Sequence, residues 1–314
     1  MPKYATFDIK IEPLLDLANI KSIASQVGFD LCGVARPRPL DDDEQFLRRW
    51  IDDGYASSLG YLSRNVEKRG DVTRLVEGAK SVIVCGIAYK NHISEGYPQG
   101  HRAKIASYAC TTDYHTTIKS MLGDMFDRLR ADYPSLKGRA FTDSAPLFEK
   151  RYAVEAGLGW IGRQSLLVTP SFGTFVLLGE LVIDQECNSY DVPLSGIGCG
   201  ECRRCIEACP NGAIIDHHID TRRCITRLTI EREEEDCTQA DSHGSIFGCD
   251  ECQSCCPYNR RTPLASNPRF TPTFDPVAMA AEDWQKIGEA EFETRFASTP
   301  LSRSSLARIV RNIK

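Results

Sequence analysis

The 314-residue sequence has no long apolar run. Nothing in it approaches the roughly 20 consecutive apolar residues that a spanning helix requires, which excludes a helical membrane protein. The opening MPKYATFDIKIEPLLDLANIK lacks an uninterrupted apolar stretch behind a basic start, and it lacks a twin arginine. No export signal is therefore expected, and a cytoplasmic location is. Glycine motifs for nucleotides are missing from their usual setting as well. No G-x-G-x-x-G follows a strand-like segment and no G-x-x-x-x-G-K-[ST] occurs, which argues against a Rossmann site or a P-loop. Positive charge is in deficit, with 38 Lys and Arg against 43 Asp and Glu for a net charge of −5. Any contact with nucleic acid must then come from a local patch.

Cysteine is what the chain has in excess, with 14 residues. Disulfides are rare in the cytoplasm, so this many thiols need another use. The spacing supplies one. Cys199-Gly-Glu-Cys202-Arg-Arg-Cys205-Ile-Glu-Ala-Cys209-Pro210 reads C-x2-C-x2-C-x3-C-P, the run in which three cysteines hold one 4Fe–4S cluster and the fourth reaches to another. A second half follows in Cys249-Asp-Glu-Cys252-Gln-Ser-Cys255-Cys256-Pro257. Structural zinc also accepts paired C-x2-C units, but four thiolates closed by proline are far more typical of iron–sulfur binding. Ferredoxin logic gives one cluster Cys199, Cys202, Cys205 and Cys256. The other takes Cys209, Cys249, Cys252 and a fourth thiol. A symmetric ferredoxin would use Cys255, and Cys224 competes for the place. Spacing leaves the two open.

Ahead of this module, strands and helices alternate. Apolar spacing with Ile11, Leu14, Leu15, Ile20 and Ile23 predicts a helix over residues 11–28, closed by Gly28. Phe29–Ala35 reads as a short strand, and Asp41–Asp53 as a helix with an acidic first turn. Ser81–Ala88 is nearly all apolar and predicts a strand buried on both faces. His92–His101, with two glycines and a proline, reads as a loop. Asp113–Tyr133 carries one apolar helical face. Thr142-Asp143-Ser144-Ala-Pro146 reads as a helix start with a cap and an early proline. That helix stops at Gly157-Leu-Gly-Trp160-Ile-Gly162, where three glycines in six residues imply a tight turn or close approach to a ligand. Strands are expected at Ser165–Thr169 and Gly173–Asp184. The composition shifts at Cys187. Three segments result: 1–185, an α+β domain; 186–263, a ferredoxin-like two-cluster domain; and 264–314, a connector with a basic tail. The stretch from Arg295 to Lys314 has five basic and no acidic residues, and Ser302–Asn312 reads as a final helix.

Four features occur together and in order. They are Glu67-Lys-Arg69 after Gly60-Tyr-Leu62, Asp113-Tyr114-His115 opening a helix, Asp143-Ser-Ala-Pro followed by Gly157–Gly162, and the cysteine halves with Arg223-Cys224-Ile between them. Over about residues 12–262 this pattern resembles the epoxyqueuosine reductases, cobalamin-dependent iron–sulfur enzymes of tRNA modification. The resemblance implies a nitroreductase-like or reductive-dehalogenase-like domain carrying cobalamin, fed by two 4Fe–4S clusters. It implies reduction of epoxyqueuosine to queuosine at the tRNA wobble position, the last step in making queuosine.

By the same likeness Cys224 completes the second cluster and Cys255 is an extra thiol. Asp143 matches the proton donor, which requires a site that raises its pKa; merely capping a helix that begins at Ser144 is the plainer alternative. Arg69, Tyr114 and His115 match cofactor-side positions, as do Trp160, Gly162, Gln164, Ser165, Leu166, Leu167, Cys252 and Gln253. An electron donor such as flavodoxin or ferredoxin is expected, as is a monomer. Candidate phosphate contacts are Arg203, Arg204, Arg222, Arg223, Arg227 and Arg232 in the cluster module, and Arg303, Arg308 and Arg311 in the tail. Many members of that family continue into a helical-repeat domain, so a short form is expected. The rival readings are a reductive dehalogenase and a ferredoxin-like electron carrier with a non-catalytic first domain.

Overall fold

The computed structural model describes residues 13–232 and 240–313; the predicted helical position Ile11 lies outside them. In the first 185 residues the strands are β1 (Leu31–Ala35), β2 (Ser81–Ala88), β3 (Lys104–Ile105), β4 (Gly138–Phe141), β5 (Trp160–Ile161), β6 (Leu167–Val168) and β7 (Val176–Ile183). The helices are α1 (Leu17–Val27), α2 (Asp41–Asp52), α3 (Val66–Gly70), α4 (Tyr114–Asp132) and α5 (Glu149–Glu155). Four strands form one antiparallel sheet in the order β1-β2-β7-β4. Helices on an antiparallel sheet make the class α+β, as expected.

Every residue of β2 is buried, as its apolar run predicts. Alternation along the strand sorts its side chains between two layers. Ile83, Cys85 and Ile87 pack with Leu181 and Ile183 against apolar residues of α1 and α4. Val82 and Val84 pack with Val182, Phe141 and Tyr152 of α5.

The first helix starts at Leu17, later than its spacing suggests, because the Asp16 carboxylate caps the Ala18 N–H at 3.2 Å. Residues before it are held in extended form, Leu15 bridging to Cys187. The helix expected from Ser144 begins instead at Glu149. Asp143 has φ 52° and makes no cap; the chain turns tightly through Ser144 and Leu147 before α5 begins. The expected strand at Ser165–Thr169 shrinks to β6, paired with β5 in a small hairpin.

The cysteine module contains α6 (Arg204–Ala208), the hairpin β8 (Ile214–Ile215) with β9 (His218–Ile219), β10 (Ser245–Phe247) and α7 (Glu251–Ser254). β10 pairs parallel with β3. The tail folds into α8 (Ala281–Lys286), α9 (Glu289–Phe296) and α10 (Leu306–Arg311). Trp284 and Phe296 stack with centroids 5.2 Å apart. Around them lie Ile105, Cys110, Ile246, Phe247, Leu306 and Ile309, so all three segments share this core. The final helix is shorter than expected because Pro300 opens a separate 3-10 turn before it.

Candidate active site and cysteine clusters

Two loops and one helix start converge beside the sheet. Asp113 caps α4, its Oδ1 accepting the His115 backbone N–H at 3.1 Å. The same oxygen lies 2.7 Å from His115 Nδ1. The Asp113 N–H donates in turn to the Ser298 carbonyl at 2.7 Å, so the tail buttresses the start of α4. Tyr114 and His115 stack with ring centroids 4.0 Å apart. Both reach the residue that follows β4. Tyr114 Oη donates to Asp143 Oδ2 at 2.5 Å, and His115 Nε2 lies 3.3 Å from the same oxygen.

This geometry sets the charges. Asp143 is held below the ordinary carboxyl range, first by the His115 hydrogen bond; burial opposes this, and the Tyr114 bond adds to it. Burial works against a charge on His115, but its bonds to Asp113 and Asp143 outweigh that and raise its proton affinity. Burial likewise opposes the Asp113 anion, and the His115 bonds outweigh it and lower its pKa. Asp143 was expected to have a raised pKa. The reverse holds, because two donors favour its anion more than burial disfavours it.

Two groups escaped the sequence reading, and a third entered it in another role. The Asp143 backbone N–H donates to Glu149 Oε1 at 2.5 Å. Glu149 is pushed up to about 7, mainly by burial and then by the Asp143 charge. Beside it is Glu180, mid-β7, with no exposed surface and raised well above the usual carboxyl range by burial and by Glu149. The third is Arg303 of the tail, whose charge acts on Asp143, His115 and Asp113. A lone acid in the apolar run Val176–Ile183 was a legible signal for Glu180. Nothing local marked Glu149, and Arg303 was expected only as a phosphate contact.

The glycine turn lies next to this site. A Cβ on Gly159 would sit 2.1 Å from the Val168 carbonyl, and one on Gly162 would sit 2.5 Å from Gln164 Oε1. These glycines let the β5–β6 hairpin close; their smallness is used up against the protein itself. Trp160 packs edge-on against Tyr258 with centroids 4.8 Å apart. Ser165 (φ 61°) donates through Oγ to the His217 carbonyl, and its own carbonyl accepts from Lys150. The Leu166 carbonyl accepts from the Gly162 N–H, and Leu167 is buried among the residues around α5. Gln253 is 7% exposed, its carbonyl accepting from Tyr89 and Thr174 and its amide donating to Asp250. It is built into the interior.

Trp160 Nε1, Gln164 Nε2 and Arg69 Nε are buried without a hydrogen-bond partner. Buried donors of this kind ordinarily find acceptors, and a corrin rimmed with amide side chains supplies them. The donor set therefore fits cobalamin.

The thiols sort into two groups. Cys205 is influenced by Cys199 and Cys256, and Cys256 by Cys199 and Cys202. In the other group Cys224 is influenced by Cys209, Cys249 by Cys224, and Cys252 by Cys249 and Cys224. Cys255 bears mainly on the first group, through Cys205, Cys256 and Cys202, and also on Cys252 of the second. All eight donors are sulfur, which fits two 4Fe–4S clusters. Burial lifts Cys249 to about 12, so metal must displace protons for such thiols to act as ligands.

The arginines divide. Arg227 is 3% exposed and donates to Ser58, Arg222 pairs with Asp220, and Arg308 donates to the Ile230 carbonyl. Arg227 and Arg308 are engaged within the fold, against expectation, because they reach partners the sequence keeps distant; Arg222 stays exposed while paired with its near neighbour Asp220. Arg203, Arg204, Arg223, Arg303 and Arg311 are exposed, and Arg232 is partly so.

Residues 198–259 match the family model described as a 4Fe-4S double cluster binding domain, and residues 69–144 match "Epoxyqueuosine reductase QueG, DUF1730". The second match runs from Arg69 to one residue past Asp143. An epoxyqueuosine reductase of Cyclobacterium marinum is 37% identical over 94% of this chain and 94% of its own. The chain belongs to the epoxyqueuosine reductase family. A relative in Xanthomonas campestris is 34% identical, over 96% of this chain and 86% of its own. A crystal structure of an epoxyqueuosine reductase with a tRNA-Tyr epoxyqueuosine-modified stem loop is 25% identical. It aligns at TM-score 0.82 over 94% of this chain and 79% of that one. The Streptococcus thermophilus enzyme is 27% identical at TM-score 0.80, over 94% and 79% of the two chains. As a family member the chain is an oxidoreductase, and its cysteine module is a 4Fe–4S double-cluster domain.

Proposed function

We propose that this chain reduces epoxyqueuosine to queuosine at the wobble position of tRNA, with cobalamin as reacting cofactor and two 4Fe–4S clusters supplying electrons. The observation that carries the reading is the convergence of Tyr114 and His115 on Asp143, together with the buried unpaired donors of Trp160, Gln164 and Arg69. Residues 1–185 form the cobalamin domain, 186–263 the cluster domain and 264–314 the connector and tail. The ligand sets are Cys199, Cys202, Cys205 and Cys256 for one cluster, and Cys209, Cys224, Cys249 and Cys252 for the other.

The net change is epoxide plus two electrons and two protons giving alkene and water. Reduced cobalt supplies a strong nucleophile or electron donor when cobalamin is bound. This chain's residues handle the protons. His115 carries one at Nε2 toward Asp143 Oδ2, and Tyr114 Oη holds another on the same oxygen. A bound substrate that excludes water weakens the carboxylate's solvation and favours transfer of a proton to Asp143 and then to the epoxide oxygen. Trp160, Gln164, Ser165, Leu166 and Arg69 would hold the corrin, and Gln253, hydrogen-bonded to Tyr89, Thr174 and Asp250, would support them. Exposed Arg203, Arg204, Arg223, Arg303 and Arg311 are the phosphate contacts. A flavodoxin or ferredoxin supplies the electrons, and the chain acts as a cytoplasmic monomer. No helix among the described residues is long and apolar enough to cross a membrane.

The test is anaerobic incubation of the reconstituted chain with cobalamin, a low-potential reductant and epoxyqueuosine-containing tRNA. Mass spectrometry of the nucleosides should show conversion to queuosine, dependent on cobalamin. Cobalamin that fails to bind, or unchanged epoxyqueuosine, would overturn the proposal.

A further inference from the structure

Asp143 sits where a non-glycine residue is uncomfortable. Its φ of 52° is in the left-handed region, which L residues adopt sparingly. Such a conformation persists only where neighbours over-determine it. Two of the restraints act on the side chain, from Tyr114 and His115. The third acts on the backbone: the Asp143 N–H donates to Glu149 Oε1 at 2.5 Å. The loop between them is tightly folded, Ser144 N–H reaching the Thr142 carbonyl at 2.6 Å and Leu147 N–H the Ala145 carbonyl at 2.8 Å. Glu149 thus closes the loop that presents Asp143.

What holds Glu149 lies beneath it. Glu180 is directly opposite Phe141 and Val84 in the sheet, so its side chain shares their face, which α5 covers. That layer is otherwise Val82, Val84, Phe141, Leu147 and Tyr152. Glu180 has no exposed surface, and neither of its carboxyl oxygens meets a protein donor. The carboxyl of Glu149 faces it. Two ionised carboxylates cannot coexist in such a place, and an unpaired buried anion is strongly disfavoured. One proton between them resolves both problems: Glu180 stays a neutral acid and donates to Glu149, and Glu149 keeps Oε1 free for the Asp143 N–H.

We propose that Glu149 is the positioning residue that clamps the Asp143 loop, and that Glu180 is the buried acid whose proton holds Glu149 in place. The charged and titratable groups that bear on the Glu149 carboxyl are Asp143, Glu180, Lys150, Arg69 and Tyr114. None of the others donates a hydrogen bond to either Glu180 oxygen. The proposal rests on the reading of Asp143 as proton donor, but the clamp itself is a property of the fold and is measured without substrate.

The test pairs amide hydrogen exchange over residues 142–148 with single-turnover kinetics on epoxyqueuosine-tRNA, using the cluster-loaded full chain. Glu149→Ala removes the acceptor of the Asp143 amide, so exchange in this peptide should rise at least about tenfold. The rate of the chemical step should fall about 10- to 100-fold, as misplacement of a reacting group does, with tRNA affinity and iron content unchanged. Glu149→Gln keeps an acceptor oxygen and should restore most of the protection and rate. Glu180→Gln supplies a permanent amide donor to Glu149 and should behave like the wild type. Unchanged exchange in Glu149→Ala overturns the clamp, and Glu180→Gln as damaging as Glu149→Ala overturns the shared proton. Should Glu149→Ala fail to fold, Glu149→Gln decides, since lost protection in that variant refutes the clamp. If exchange responds as expected while no variant, nor the wild type, turns over epoxyqueuosine, the clamp stands and the functional reading falls.

Discussion

Tyr114 Oη donates a 2.5 Å hydrogen bond to Asp143 Oδ2, joining the first turn of α4 to the end of β4. His115 approaches the same oxygen at 3.3 Å. One carboxyl oxygen therefore takes both donors, and its charge state follows from that. Removing one donor should raise the Asp143 pKa. Tyr114→Phe keeps the ring stacked on His115 but loses the hydroxyl, so the pH at which the rate falls through loss of the Asp143 proton should move upward. Asp143→Asn removes the transferable proton and should lower single-turnover rates by at least about 100-fold while leaving cobalamin binding intact. Near-normal turnover in the asparagine variant would eliminate the acid role.

His115 makes stability depend on pH in a definite direction. Its proton affinity is raised above the ordinary 6.5, so its pairing with Asp113 and Asp143 is fully felt below that value and is lost as pH rises through the folded pKa. The two carboxylates are lowered from 3.8, so their contribution is present above that value and is lost as pH falls through their folded pKa values. The gap in melting temperature between wild type and His115→Gln should be widest in between, at about pH 5 to 6. A gap of roughly 2–4 °C there should close toward alkaline pH. A gap that is constant with pH would mean His115 is neutral in the fold.

Cys224 and Cys255 should behave oppositely. Cys224 keeps company with Cys209, Cys249 and Cys252, whereas Cys255 acts chiefly with Cys202, Cys205 and Cys256 and only lastly on Cys252. Cys224→Ser should lose about half of the iron and one of two reduced-cluster signals by electron paramagnetic resonance. Cys255→Ser should keep both. Loss of a cluster only in the Cys255 variant would reinstate the symmetric ferredoxin assignment.

Gly159 admits no side chain, since a Cβ would meet the Val168 carbonyl at 2.1 Å. Gly159→Ala should push the β5–β6 hairpin apart, destabilising the fold by about 1–3 kcal/mol and weakening cobalamin binding through Trp160 and Gln164. Thermal melts with and without cobalamin would show both effects. Gly60→Ala, where a Cβ meets nothing within 4 Å, is the matched control.

The sequence alone carried the chemistry that depends on spacing. Thiol intervals announce clusters, the apolar run of β2 announces a central strand, and three glycines announce a tight turn or a close approach. Each is a local pattern whose physical meaning survives without neighbours. The tertiary structure decided what depends on residues far apart in the chain meeting. Asp143 reads as a helix cap until its φ of 52° and its bonds to Tyr114 and His115 make it an anion at the site. Glu180 reads as one polar residue in a strand until Glu149 is laid over it by α5. Arg227 and Arg308 read as phosphate contacts until the fold turns them onto Ser58 and the Ile230 carbonyl. Arg303 remains exposed and brings its charge to Asp143 across 160 residues of chain, because the tail packs under β3 and β10. Charge state and proton affinity are set by desolvation and by partners, and both are properties of the packed molecule.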